Sequence, residues 1–373
     1  MKNNIGLYIH IPFCRHICNY CDFFKKVSST KNQAIYIDYL IKDVQKNVNI
    51  DVDTIYIGGG SPSSLELNDL NRLLEAIEGK IRLDKIKEYT IELNPEDINL
   101  ELIKCLKKFS INRISIGVQT FNPRLQKIIA RVSDYDDILT KISLLKHHGY
   151  HNINVDLMYG IADETLEELR IDVEKILSLE PSHISTYSLI LEEKTILYHQ
   201  YLRGEYHLSN DDLESEMYYE IIRLLKEKNF NHYEISNFAL PNHESIHNLI
   251  YWSNGEYLGI GAGSSGYFDG IRYKVTTDFK DYYASLTAEK IVYEEYELID
   301  NNTKMWEEVI LGLRKTEGVS VEEFYNKFQL SIYEVFPNID DLIKNKFLEV
   351  ENNHLRITKN NYYISNAILT KIM

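Results

Sequence analysis

Short apolar runs alternate with amphipathic stretches along the first half of the chain. The runs cover residues 7–11, 54–57, 89–93, 113–118, 153–158 and 183–189, and the stretches between them include 34–48, 67–77, 100–109, 138–147 and 166–177. In the first stretch Ile37, Leu40, Ile41 and Val44 fall at i, i+3, i+4 and i+7, on one helical face. Strand-like runs with helices between them predict a parallel α/β sheet, either doubly wound or curled into a partial barrel.

Polar residues favour the barrel. Cys14, Gly58 to Gly60, Glu92, Gln119, Asp156 and Tyr187 each stand at the end of a run or just past it. In parallel α/β folds the carboxyl ends of the strands carry the ligand site. The expectation is therefore a partial (β/α)6 TIM-like barrel over residues 1–195. Residues 196–298 read as an extension of it: a helix around 213–225, a strand near 232–235, then a loop rich in His and Asn. From 299 to 373 helices at 304–313, 321–328 and 339–344 precede a hairpin at 347–358 that turns at Asn352 and Asn353, a small winged-helix-like α+β unit.

Composition narrows the partners. A formal net charge of −15 argues against non-specific nucleic-acid binding, which needs a cationic footprint. The last unit is itself slightly more acidic than basic, which disfavours DNA binding by the wing. No stretch approaches the roughly 20 apolar residues of a membrane span. The opening run is broken by His10 and Pro12 and is followed by no small-residue cleavage site, so it does not read as a signal peptide. Four cysteines in 373 residues fit a reducing compartment, and a cytoplasmic protein is expected.

Three of those cysteines carry the chemistry. Cys14, Cys18 and Cys21 form CxxxCxxC directly after the first run. Thiolates hold iron–sulfur clusters, and a cubane normally takes four of them, so three leave one iron open to a small molecule. Zinc is the alternative, with His10 or His16 as fourth ligand. The glycine run Gly58-Gly59-Gly60-Ser61-Pro62 follows the second strand on the same rim, where side-chain-free backbone can approach a ligand closely. Cys105, on the apolar edge of 100–109, reads as a buried structural thiol.

Together, Tyr8-x-His10-Ile11-Pro12-Phe13-Cys14-x3-Cys18-x2-Cys21 and Gly58-Gly59-Gly60-Ser61-Pro62 resemble the radical S-adenosylmethionine (SAM) superfamily, in its oxygen-independent coproporphyrinogen III oxidase-like branch. The resemblance covers residues 7 to about 270, and the unit from 299 resembles that branch's C-terminal domain. It implies that Cys14, Cys18 and Cys21 bind a [4Fe-4S] cluster whose fourth iron takes the amino and carboxylate groups of SAM, with an external electron donor. Tyr8 and Tyr20 would pack against the cluster or the methionyl end. Gly59, Gly60 and Ser61 would meet the amino group, and Glu92 a ribose hydroxyl. Gln119, Arg131, Asp156 and Ser188 would complete the cofactor mouth, with Arg131 as a carboxylate partner.

Within the branch the chain is similar to HemW-type heme chaperones rather than to the decarboxylating oxidase. The oxidase type carries a further cysteine two positions after the third ligand, where this chain has Phe23, and a long extension where only a short stretch precedes Tyr8. His247-Asn248-Leu249-Ile250-Tyr251-Trp252 matches the HNxxYW signature of the HemW type. That likeness implies heme or a porphyrin as ligand and a heme-accepting client protein as partner. His247 is then a candidate axial ligand, with Tyr251 and Trp252 as flat partners; the bland alternative is a core histidine packed by aromatics. The chain departs from the pattern at Ser133 and Ser265, where the branch usually has histidine, and at Ile161-Ala162-Asp163-Glu164-Thr165, where it usually has Leu-Pro-Gly-Gln-Thr. These departures keep open a divergent paralogue acting on another porphyrin.

Overall fold

The computed structural model describes residues 4–288 and 292–372. Six parallel strands, β1 (Gly6–Ile11), β2 (Thr54–Gly59), β3 (Glu88–Leu93), β4 (Arg113–Gln119), β5 (Ile153–Tyr159) and β6 (His183–Ser188), lie side by side in chain order. The helices that return the chain are α1 (Thr30–Asn47), α2 (Leu67–Glu78), α3 (Leu100–Leu106), α4 (Pro123–Ile129), α5 (Tyr135–His147) and α6 (Leu166–Ser178). Their starts are set by side-chain caps at Ser29, Asn99, Asn122 and Asp134, and by a full capping box between Thr165 and Glu168. The expected (β/α)6 partial barrel is present.

Successive strand residues point to opposite faces. On one face Leu7, Ile9, Ile11, Ile55, Ile57, Ile91, Ile114, Ile116, Val155 and Ile184 are buried in a single core cluster with the helices. On the other, Tyr56, Glu92, Arg113, Ser115, Asn154, Asp156, Ser185 and Tyr187 line a cavity inside the curl of the sheet. The lumen of this barrel is polar.

The segment after β6 departs from expectation. Helices α7 (Ile196–Leu202) and α8 (Asp211–Glu227) lead into β7 (Asn231–Glu234) and β8 (Asn237–Ala239), and β8 pairs antiparallel with β6. The expected His- and Asn-rich loop is instead β8 followed by α9 (Ile246–Trp252), so the HNxxYW motif is helical. Then β9 (Tyr257–Ile260) pairs parallel with β1, and β10 (Ser265–Phe268), β11 (Ile271–Val275) and β12 (Tyr293–Leu298) extend that edge antiparallel, with α10 (Phe279–Thr287) between the last two. The extension thus adds strands at both edges, giving among the described residues one twelve-stranded sheet in the order β12-β11-β10-β9-β1-β2-β3-β4-β5-β6-β8-β7. Short strands among glycines, tyrosines and charges give no long apolar run, which is why they escaped the pattern.

Helix α9 is tied to the amino-terminal ends of the strands. Glu88, the first residue of β3, accepts hydrogen bonds from the Ile246 N–H (2.7 Å), the His247 N–H (3.3 Å) and the Ser245 hydroxyl (3.2 Å). A carboxylate at a helix N-terminus satisfies orphan donors and meets the positive end of the helix. His247, on the same helix, bonds Thr54 at the start of β2 (2.7 Å).

The C-terminal unit follows α11 (Asn301–Gly312). It comprises β13 (Val319–Ser320), α12 (Val321–Phe328), α13 (Ile332–Val335), α14 (Asn338–Lys344), β14 (Leu348–Glu351) and β15 (His354–Ile357). The sheet order is β13-β15-β14, and the turn residues Asn352 and Asn353 both have positive φ, as a tight hairpin requires. This is the winged arrangement expected. Among the described residues no helix is long and apolar enough to cross a membrane.

Replacing Glu88 with Gln substitutes an amide donor for one acceptor oxygen at the α9 start. The variant is expected to lose about 2–3 kcal/mol of stability, the scale of hydrogen bonds to a charged group. Urea unfolding followed by circular dichroism measures this, and an unchanged midpoint would show that the helix is held by other contacts.

Candidate functional site

The cysteines lie on the loop between β1 and α1, and that loop is fastened from several sides. The Cys14 N–H donates to the Lys26 carbonyl (3.1 Å) and the Lys26 N–H to the Pro12 carbonyl (2.7 Å), closing its base. Asn19 is held from farther away: its N–H donates to the Ile129 carbonyl (3.1 Å), its side chain to the Ile128 carbonyl (2.9 Å), and its own carbonyl accepts from the Leu197 N–H (3.0 Å). Arg15 pairs with the buried Asp97 (2.5 Å). Cys14, Cys18 and Cys21, all half-buried and free, face one cavity of about 450 Å³ at the carboxyl ends of the strands. Burial, and then the other two sulfurs, push the Cys14 thiol up to about 12, while Lys25 and Arg131 oppose this. Three thiols brought together with little neutralising charge form a donor set for a cationic iron core. Among the described residues no three His, Cys, Asp or Glu side chains close on a point as a single ion requires.

All the cofactor candidates named from the sequence line that cavity except Tyr8. Gly59 has φ +117°, and a Cβ there would strike the His10 ring at 2.5 Å; one on Gly60 would meet the Phe13 carbonyl oxygen at 2.7 Å. The glycines are needed so that β2 can end against β1. Their amides are used inside the fold: Gly59 N–H donates to Glu92 (3.1 Å), Gly60 N–H to Ile11 (2.8 Å) and Ser61 N–H to Phe13 (2.7 Å). That leaves carbonyl oxygens, acceptors suited to an amino group, as the backbone groups that could face a ligand. Tyr8 lies just beside the cavity, in a small side pocket shared with Tyr56, Gly59, Glu92 and Tyr187. Its hydroxyl donates to His10 Nδ1 (2.9 Å), since His10 Nε2–H donates to the Phe24 carbonyl (2.9 Å), and its ring lines a second cleft beyond Phe23.

Deeper in the lumen Glu92 accepts from the Tyr56 hydroxyl (2.7 Å) as well as from Gly59, and burial pushes its carboxyl up to about 7. Asp156 accepts from Asn154 Nδ2 (2.7 Å) and is raised by the same cause. Gln119 ends β4 with φ 73° beside a register shift, a strained turn that swings its side chain to the cavity wall. Arg131, expected as a free carboxylate partner, is largely engaged: Nη2 donates to Asn94 Oδ1 (2.9 Å) and to the Gly117 carbonyl (2.6 Å), and Nη1 lies 3.8 Å from Cys18 Sγ. Its Nε has no partner. Sequence reasoning missed Arg113, which is 2 % exposed, lines the cavity and leaves its Nε unbonded. The signal was there in Arg113-Ile114-Ser115-Ile116-Gly117, where polar and apolar residues alternate.

A hydrogen-bond chain links this lumen to α9. Ser245 N–H donates to the Tyr233 hydroxyl (3.2 Å), so Tyr233 donates to His183 Nε2 (2.7 Å). His183 Nδ1–H then donates to Asn154 Oδ1 (2.6 Å), and Asn154 donates to Asp156. Burial and the Arg113 charge hold His183 well below its usual range, so the imidazole is neutral and its tautomer fixed.

The heme candidates divide. His247 is 1 % exposed, with Nδ1 bonded to Thr54 and Nε2 to the Tyr251 hydroxyl (2.7 Å); burial pushes it down to about 3. With both nitrogens engaged it serves the fold, and an iron–imidazole bond would have to break one of them. Trp252 lies under the Arg314 guanidinium (5.5 Å) and lines none of the cavities described here. Only Tyr251 reaches the second cleft. Of the positions departing from the pattern, Ser133 is buried and donates to the Val118 carbonyl (2.9 Å), whereas Ser265 is exposed on the wall of that cleft. Cys105 is buried as expected.

Comparisons with known proteins agree with this geometry. The Radical SAM superfamily profile matches residues 8–176, and the HemN C-terminal domain profile matches residues 299–363. The chain is 41% identical to the heme chaperone HemW of Lactococcus lactis over 98% of its own length and 96% of the relative's. It belongs to the HemW family of radical SAM proteins. HemW of Bacillus subtilis is 39% identical over 89% of each chain. The solved structure of coproporphyrinogen III oxidase (HemN) of Escherichia coli superposes with a TM-score of 0.86 at 20% identity, covering 100% of this chain and 90% of that one, a likeness of fold. The cofactors are those of the superfamily, a [4Fe-4S] cluster and SAM.

Glu92 gives a pH test. Folded protein keeps its proton to about pH 7, whereas the unfolded chain releases it near the ordinary 4.5. Between those values the native state binds the extra proton, so stability falls as pH rises. Relative to E92Q, cluster-free wild type is expected to lose on the order of 3 kcal/mol from about pH 5 to about pH 8, at ~1.4 kcal/mol per pH unit. Parallel urea-unfolding profiles for the two proteins would mean that Glu92 titrates normally.

Proposed function

We propose that this chain binds heme and delivers it to client proteins, as a cluster- and SAM-dependent chaperone working in the cytoplasm. The observation that carries the reading is identity of 41% along 98% of the chain to a protein named heme chaperone HemW. Phe23 supports it: where the oxidase type has a fourth cysteine, this chain puts a ring that is 70% exposed at the cavity mouth. Free cysteines around a cluster loop fit a reducing compartment.

We assign the residues as follows. Cys14, Cys18 and Cys21 hold three irons. The Gly59, Gly60 and Ser61 backbone receives the SAM amino group, Arg131 Nη1 faces its carboxylate, and Glu92 receives a hydroxyl. Tyr20, Gln119, Asp156 and Ser188 shape the remaining wall. When bound, the cofactor pair supplies one-electron reductive cleavage of a sulfonium C–S bond, fed by an external donor. The protein's part is to bind, orient and exclude water: the buried guanidiniums fix charge, and the Glu92 carboxyl, pushed up to about 7 by burial, can donate when protonated as well as accept.

The second reading is oxidative decarboxylation of coproporphyrinogen III, favoured by the shared fold with HemN. Anaerobic incubation of cluster-loaded protein with coproporphyrinogen III, SAM and dithionite separates the two. The expected outcome is no protoporphyrinogen, together with heme binding near one per chain and transfer to apomyoglobin; product formation, or heme that is never released, would overturn the chaperone reading. Cys18→Ser is expected to lower iron from about four per chain to near zero and to abolish the visible thiolate-to-iron absorption. Full iron and colour would remove Cys18 from the ligand set.

A further inference from the structure

Beyond the cofactor cavity lies a second one, about 560 Å³, between the β1–β9–β10 side of the barrel and α11 of the following unit. That volume is within the range of about 300–1,000 Å³ typical of small-molecule sites. Its walls are largely aromatic: Tyr251, Tyr257, Tyr267, Trp306 and Phe24 contribute, and Phe23 stands between this cleft and the cofactor cavity, lining both. Tyr251 and Tyr257 meet edge to face with centroids 4.5 Å apart. One charged pair faces in, Arg272 Nη2 on Glu307 Oε1 at 2.6 Å, with the Arg272 guanidinium 5.8 Å over the Tyr267 ring. Glu307 is 5 % exposed and its second carboxylate oxygen has no partner; neither has the buried indole N–H of Trp306.

We infer that this cleft is the seat of heme in this chain, an inference that rests on the heme-handling reading above. A flat macrocycle finds faces in Tyr257, Tyr267 and Trp306. Its propionate finds Arg272, whose guanidinium has further N–H donors after one is given to Glu307. The cofactor cavity also has aromatic rings, Tyr20, Tyr56 and Tyr187 beside Phe23, but they stand among the charged and polar groups assigned above to the cluster and SAM. Among the described residues no free imidazole, thiol or thioether lines the cleft: His10 is bonded at both nitrogens. A site that grips the ring by its faces and leaves iron weakly held suits cargo that must be passed on.

The test is heme titration by absorbance on cluster-loaded wild type, Ser265→Trp and Trp306→Ala. Ser265 is exposed on the cleft wall, so an indole there fills the space without entering the core; Trp306→Ala removes a face instead. Cluster absorption and SAM binding by equilibrium dialysis, which use other residues, report that each variant is folded and loaded. The expected result is affinity weakened by roughly tenfold or more in either loaded variant, the scale of losing a packed aromatic contact or the space for it. Affinity within about twofold of wild type in both would overturn the placement and leave heme handling standing. Wild type that binds no heme would instead overturn the function on which the placement rests.

Discussion

Two guanidiniums and two carboxylates, Arg113, Arg131, Glu92 and Asp156, share the lumen of this barrel, and among the described residues none of the four forms an ion pair. Charge taken out of water without a partner costs several kcal/mol per group even after the protein relaxes. Strand geometry imposes the arrangement: alternate residues must face inward, and here the inward set is polar while the outward set builds the core. The fold responds by supplying neutral hydrogen-bond partners and, at Glu92, by retaining a proton. What remains uncompensated is what a zwitterionic cofactor brings with it. The cost of the lumen and its capacity for a ligand are one property.

A polar lumen also changes how the barrel is closed. Apolar barrels fill their own base with interdigitated side chains; this one uses α9, whose first N–H groups end on Glu88 and whose His247 is clamped between Thr54 and Tyr251. The HNxxYW segment is thus part of the floor, with one residue, Tyr251, turned toward the aromatic cleft. Its histidine is neutral because it is buried, and it is buried because the floor needs its two nitrogens. The same logic fixes His183 through Tyr233 and Asn154.

Much of this was legible in the chain. The six parallel strands, the rim with its cysteines and glycines, and the winged unit with its Asn352-Asn353 turn all follow from period, spacing and turn chemistry. Three things did not. Strands β9–β12 are short and mixed in polarity, and their pairing depends on edges that exist only once β1–β6 have assembled. Helix α9 looked like a loop because seven residues give too short a period to read. Arg113 was passed over inside an apolar run, although the alternation across Arg113, Ser115 and Gly117 marks one face as polar; reading each run by its phase would have drawn the lumen. The glycine run was noted for ligand access, yet Gly59 and Gly60 are glycine first because His10 and Phe13 leave no room for Cβ.

Asn19 carries a consequence for biosynthesis. The loop that bears the cysteines is near the start of the chain, yet Asn19 is tied to Ile128 and Ile129 at the end of α4 and to Leu197 in α7. Those partners leave the ribosome more than a hundred residues later, and closing so long a span is entropically slow. Until they arrive the loop has its base and its Arg15 pair but lacks the three bonds that hold its middle at Asn19. Maturation therefore has an order: translation through α7, barrel closure, and only then the iron.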